Sequence, residues 1–130
     1  MSSLATDRHD NPRSIPIVHL PRLVWLASGA AALAGSIAAG GAVMLALWLA
    51  PDLAFLTGLP KPFLAGGRLN PRAVRGYNAA HYLFGPLALT LGGLVLPALL
   101  PLGLIWLSHV AIDRGLGYYP RDRAGNIRNG

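Results

Sequence analysis

The stretch "AAHYLFGPLALTLGGLVLPALLPLGLIWLSHVAI", residues 79–112, contains no Lys, Arg, Asp or Glu and only two histidines, His81 and His109. As one straight helix it would be about 51 Å long, against a hydrocarbon core of about 30 Å. Gly92-Gly93, Pro97 and Pro101 interrupt it near its middle. Paired glycines suit a tight turn and proline suits a helix start, so the stretch reads as a helical hairpin. A second uncharged run, Leu23 to Ala50 ("LVWLASGAAALAGSIAAGGAVMLALWLA"), is about 42 Å long as a helix and carries Gly40-Gly41 at its centre. It reads as a hairpin too.

The expected fold is therefore an all-α membrane protein, two helical hairpins forming a compact bundle of about four short transmembrane helices. Two long kinked spans are the alternative. The spans fall at about 23–39, 42–56, 72–94 and 97–117, inside a membrane domain over 22–119. A polar N-terminal tail (1–21) and a basic C-terminal tail (120–130) are expected to be mobile. "NPRAVRG" reads as a helix start, with Asn70 as N-cap and Pro71 in the first turn.

Composition agrees with this reading: 53% of the 130 residues are apolar and 12% charged, with a mean hydropathy of +0.46. Cysteine is absent, which excludes disulfides and thiolate metal sites. Net charge is +6, yet no basic helix face or aromatic platform accompanies it, so nucleic acid is not the expected partner. In a four-span arrangement all eleven basic residues fall on one side, as the positive-inside rule expects of a cytoplasmic face. The expected location is a multi-pass inner (plasma) membrane protein with both termini cytoplasmic. Its partners would be the bilayer and anionic lipid headgroups; self-association stays open.

Counted from a turn near residue 95, His81 and His109 are equally far from it, so antiparallel packing sets them at one depth. Tyr77 and Asn78 precede His81 by one helical turn, and Asp113 follows His109 by another. Asp52 closes the first block on the same side. Ionisable groups at membrane depth are costly and normally face one another inside a bundle. Two imidazoles and two carboxylates suit a hard or borderline divalent cation.

The expected metal ligands are His81, His109 and Asp113, with Asp52 as ligand or general base. Arg114 would neutralise Asp113, or meet lipid phosphate or substrate oxygens, and Tyr77, Asn78 and Tyr118 would support the site. His9 and His19 read as tail residues without a role. Trp25, Trp48 and Trp106, with Tyr118 and Tyr119, read as an interfacial aromatic belt.

Three segments, "LWLAPDL" (47–53), "YNAAHYLFGP" (77–86) and "LIWLSHVAIDRGLGYY" (104–119), also resemble the small bacterial integral-membrane family catalogued as domain of unknown function 4260. The resemblance rests on Ala50, Pro51 and Asp52, on Tyr77, Asn78, His81 and Pro86, and on Trp106, His109, Asp113, Arg114, Gly117 and Tyr118. It departs after Tyr118, where Tyr119-Pro120-Arg121 replaces the usual Gly-Leu-Lys-Tyr. The resemblance implies a compact multi-span membrane domain and carries no activity, substrate or cofactor.

Three functions fit this pattern. The first is a metal-dependent membrane hydrolase of a lipid-like phosphate. The second is a non-enzymatic membrane subunit or an assembly or transport element. The third is a haem protein with His81 and His109 as axial ligands, for which neighbouring helices about 8–10 Å apart leave little room unless the helices splay or the histidines come from different subunits.

Overall fold

The computed structural model describes residue 17 and residues 19–128. The expected N-terminal tail lies outside these, apart from its last few residues. The described residues are helical, with isolated β-bridges at Phe63–Leu69 and Arg121–Ile127 and no strand. Helix α1 spans Arg22–Gly40, α2 Val43–Leu47, α3 Pro71–His81, α4 Phe84–Gly92 and α5 Leu99–Leu116. A 3-10 helix spans Ala50–Gly58, and a short 3-10 turn spans Ala65–Gly67.

Helices α1 and α5 run antiparallel along their whole lengths because small residues let them approach. A Cβ on Gly29 would strike Ile112, one on Gly115 would strike Leu26, and one on Gly40 would strike Pro101. Helix α4 packs on the first half of α5 in the same way, with Gly103 against Thr90 and Gly85 against the Trp106 ring. The 3-10 helix lies on α3, where Phe55 and Ala54 cover Leu69, Ala73, Val74 and Tyr77. Helices α1 and α5 are long and apolar enough to cross a membrane by length and composition.

Two expected spans differ from the structure. The 42–56 span is a short α-helix followed by a 3-10 helix, with Pro51 early in the 3-10 helix supplying no N–H for a continuous α ladder. The 72–94 span is two helices, broken at Tyr82 and Leu83. Pro86 supplies no N–H to the Tyr82 carbonyl four residues back, so a straight helix cannot pass. Helix α3 starts as expected, with the Asn70 side chain accepting from Arg72 N at 3.0 Å and Pro71 in the first turn.

The described part of the C-terminal segment, 120–128, is no free tail. Pro120 and Arg121 are buried, and Asn78 bonds both backbone groups of Arg121, at 2.8 Å and 2.7 Å. Gly125, at φ +89, sits so close to Leu69 that no side chain would fit there, and its carbonyl accepts from Leu69 N at 2.9 Å. Asp122 closes the intervening turn by accepting from Asn126 N at 2.9 Å. The segment is a strap across α3, basic in composition yet held by specific backbone bonds.

Candidate metal centre

Helix α5 sets His109 and Asp113 one turn apart on its inner face. His81 is the last residue of α3, where the chain breaks, and Asp52 enters from the first turn of the 3-10 helix. One ligand atom from each of these four residues lies within 4.8 Å of the others. The His81 and His109 Nε2 atoms are 3.2 Å apart. Asp113 Oδ2 is 3.3 Å from His81 Nε2 and 3.6 Å from His109 Nε2, and Asp52 Oδ1 is 3.6 Å and 3.5 Å from the same two atoms. Ligands at about 2.0–2.1 Å around a tetrahedral zinc lie about 3.3–3.4 Å from one another. The five distances that involve an imidazole nitrogen are close to those of a coordination shell, and the two carboxylates lie within 4.8 Å of each other.

The His81 ring fits as well, whereas His109 Nδ1, also buried, has no partner among the described residues. His81 Nδ1 lies 2.8 Å from the Tyr77 carbonyl, which can only accept, so Nδ1 carries the proton and Nε2 presents its lone pair to the cluster. A backbone carbonyl fixing the tautomer from behind is the usual support of a ligating histidine. The Tyr77 ring stacks on His81 at 4.0 Å, and the Trp48 ring lies 4.8 Å from that of His109 while its Nε1 donates to Ser108 Oγ at 3.2 Å. Both imidazoles are walled in, each 1% exposed. With neutral imidazoles, two ionised carboxylates leave the cluster with two negative charges close together, one of them on the largely buried Asp113, a costly state unless protons or a cation enter. One divalent cation neutralises both and uses all four lone pairs.

The remaining expected site residues surround this centre. Tyr77 backs His81, Asn78 holds the strap, and Tyr118 shares a cavity of about 240 Å³ with Asp52, Asp113, Tyr77 and Arg121. Arg114 is buried but does not pair with Asp113. Its Nη2 donates to the His81 carbonyl at 3.0 Å, and its guanidinium lies over the Tyr119 ring at 5.0 Å. The break after α3 strands that carbonyl, and Arg114 caps it while opposing the negative helix end. Trp106 does the same for the neighbouring Ala80 carbonyl, at 2.6 Å. Trp48 and Trp106 thus bond inside the bundle and Trp25 is buried, so the three do not form an interfacial belt.

A haem between the histidines is excluded by distance. Their Nε2 atoms are 3.2 Å apart, with carboxylate oxygens in the space a porphyrin would fill. His19 stacks on Tyr119 at 5.4 Å, away from the cluster, and His9 lies outside the described residues. Sequence reasoning missed Trp48 and Arg121 as neighbours of the site. The only signal for Trp48 was its place one turn before Asp52.

Comparison with known proteins gives a family model described as "Domain of unknown function (DUF4260)", which matches residues 17–122. No curated protein and no solved structure matches the chain.

Proposed function

Since the chain belongs to the DUF4260 family, a domain family of unknown function, we propose its function from the site alone: a membrane-embedded, metal-dependent hydrolase acting on a lipid-like phosphate. The observation that carries the reading is the set of ligand distances, 3.2–3.6 Å between each imidazole nitrogen, its partner and the two carboxylates. His81, His109 and Asp113 hold the metal. A divalent ion there would polarise a phosphoryl oxygen and bring the pKa of a bound water near neutrality. Asp52, whose side chain is 36% exposed against 17% for Asp113, faces the cavity and serves as the base that takes the water's proton, or as a fourth ligand when substrate is absent.

Several features support a bilayer setting. Leu23, Leu45, Leu91, Val95 and Phe84 are among many large apolar side chains left exposed, far more than a water-soluble monomer presents. Only 22% of the apolar window of α1 is buried inside the protein, so its other faces need an apolar solvent. Antiparallel packing puts Arg22 at the end where α5 finishes, beside Gly115 and Gly117. We place this basic end at the cytoplasmic side of the bacterial inner membrane, with both termini there.

The test is elemental analysis of the full chain purified in mild detergent. Wild type should carry about one zinc or manganese per chain, and His109→Ala should carry at most a tenth of that. Protein free of stoichiometric metal after expression in supplemented medium and purification without chelator would sink the proposal. It would favour the second reading, a structural knot in which His81 and His109 share protons with Asp52 and Asp113. The same 3.3–3.6 Å histidine–carboxylate contacts would carry that knot.

A further inference from the structure

Arg121 is charged and 6% exposed, yet no carboxylate pairs with it among the described residues. Its Nη1 donates to the Gly67 and Gly125 carbonyls at 3.2 Å and 3.3 Å, while Nε has no partner among the described residues. The guanidinium carbon lies 5.8 Å from the Tyr77 ring centroid. Its side chain lines the 240 Å³ cavity whose other wall holds Asp52 and Asp113. A buried guanidinium without a counter-ion is expensive, and two carboxylates across the cavity compensate it only while they keep their own charge. Once a divalent cation neutralises them, Arg121 is left as the unbalanced charge lining this cavity.

We propose that Arg121 is the anion-recognition residue of this site, taking the oxygens of a phosphoryl group seated in the cavity beside the metal; the inference rests on the metal reading above. The planar guanidinium suits a tetrahedral oxyanion because two parallel N–H groups can meet two oxygens at once. Arg114, whose Nη1 also lacks a partner among the described residues, does not line this cavity, and its Nη2 is engaged with the His81 carbonyl. The strap then has a task. Asn78 and Leu69 pin residues 121 and 125, so the guanidinium is delivered by backbone bonds rather than by a mobile tail. Recognition and metal binding become coupled, because the anion is welcome only after the carboxylates are neutralised.

The experiment uses the full chain in detergent, with zinc content measured on each sample before titration with inorganic phosphate and, separately, with a short-chain phosphatidic acid. Zinc-loaded wild type should bind both; Arg121→Gln should keep its zinc and bind each at least about tenfold more weakly. Arg121→Lys, which retains charge but loses the fork, should be weakened by about three- to fivefold. A phosphatidic acid binding at least about tenfold tighter than phosphate assigns the group to a lipid headgroup, and equal binding assigns it to free phosphate; both support the proposal when Arg121→Gln abolishes them. Arg121→Gln that keeps zinc and binds phosphate within twofold of wild type overturns it and leaves the metal reading intact. Wild type without zinc overturns the metal reading first. Should Arg121→Gln fail to hold zinc, Arg121→Lys decides, and unchanged affinity in it overturns the proposal.

Discussion

A histidine on an apolar helix is ordinarily a hydrogen-bonded core residue, and what sets His81 apart is where its two nitrogens point. Nδ1 is spent on the Tyr77 carbonyl, and Nε2 is left to face one imidazole and two carboxylates. Removing one ligand should therefore act on metal affinity far more than on helix formation. His81→Ala and Asp113→Asn are each expected to lower zinc affinity at least about a hundredfold, beyond the range seen for supporting residues, measured by competition with a fluorescent chelator. Trp48→Phe keeps the wall beside His109 and loses only the bond to Ser108; a reduction of about tenfold or less is expected in the same assay.

The elements around the site are placed by the absence of side chains and of N–H groups. Helix α4 meets α5 where Gly103 touches Thr90, so Gly103→Val should destabilise the hairpin by about 1–3 kcal/mol, read as a lower detergent denaturation midpoint. In the strap, Gly125 combines a left-handed φ with contact to Leu69, and Gly125→Ala should release residues 120–128, seen as faster amide exchange there than in α5. The strap also carries an acid-sensitive turn. Slight burial pushes the Asp122 carboxyl up, but hydrogen bonds from Asn126 and the amides of Ala124 and Gly125 outweigh it and hold the carboxyl below its ordinary value. Its contribution is then present above the unfolded pKa near about 4 and is lost as pH falls through the lower folded value. Exchange in residues 122–126 should accelerate over that acid window ahead of α5.

At the scale of the molecule, many large apolar side chains, most of them leucines, are exposed, while His81, His109, Arg114 and Arg121 are buried. The chain has no cysteine, so single cysteines report topology without background. Those introduced at Gly66 and Asn126 should label from one side of sealed vesicles and one at Leu94 from the other; all three labelling alike would refute the hairpin topology. Much of this arrangement was legible beforehand. The breakers between Gly92 and Pro101 marked a turn, and symmetric counting from it paired His81 with His109, which the structure brings to 3.2 Å. The Asn70-Pro71 pair marked the start of α3. The break after His81 was hidden because an apolar run gives one hydropathy signal whether a helix is straight or bent, although Pro86 stood in it. Arg114 was expected beside Asp113 or phosphate oxygens and Arg121 only within the basic tail, since charge and position along the chain do not say which acceptor a guanidinium reaches. By itself the sequence determined the apolar blocks, their turns and the shared depth of the polar groups, because these follow from composition and helical period. Only the tertiary structure decided that Arg114 caps a broken helix and that the strap sets Arg121 at the cavity, because both depend on contacts between segments far apart in the chain.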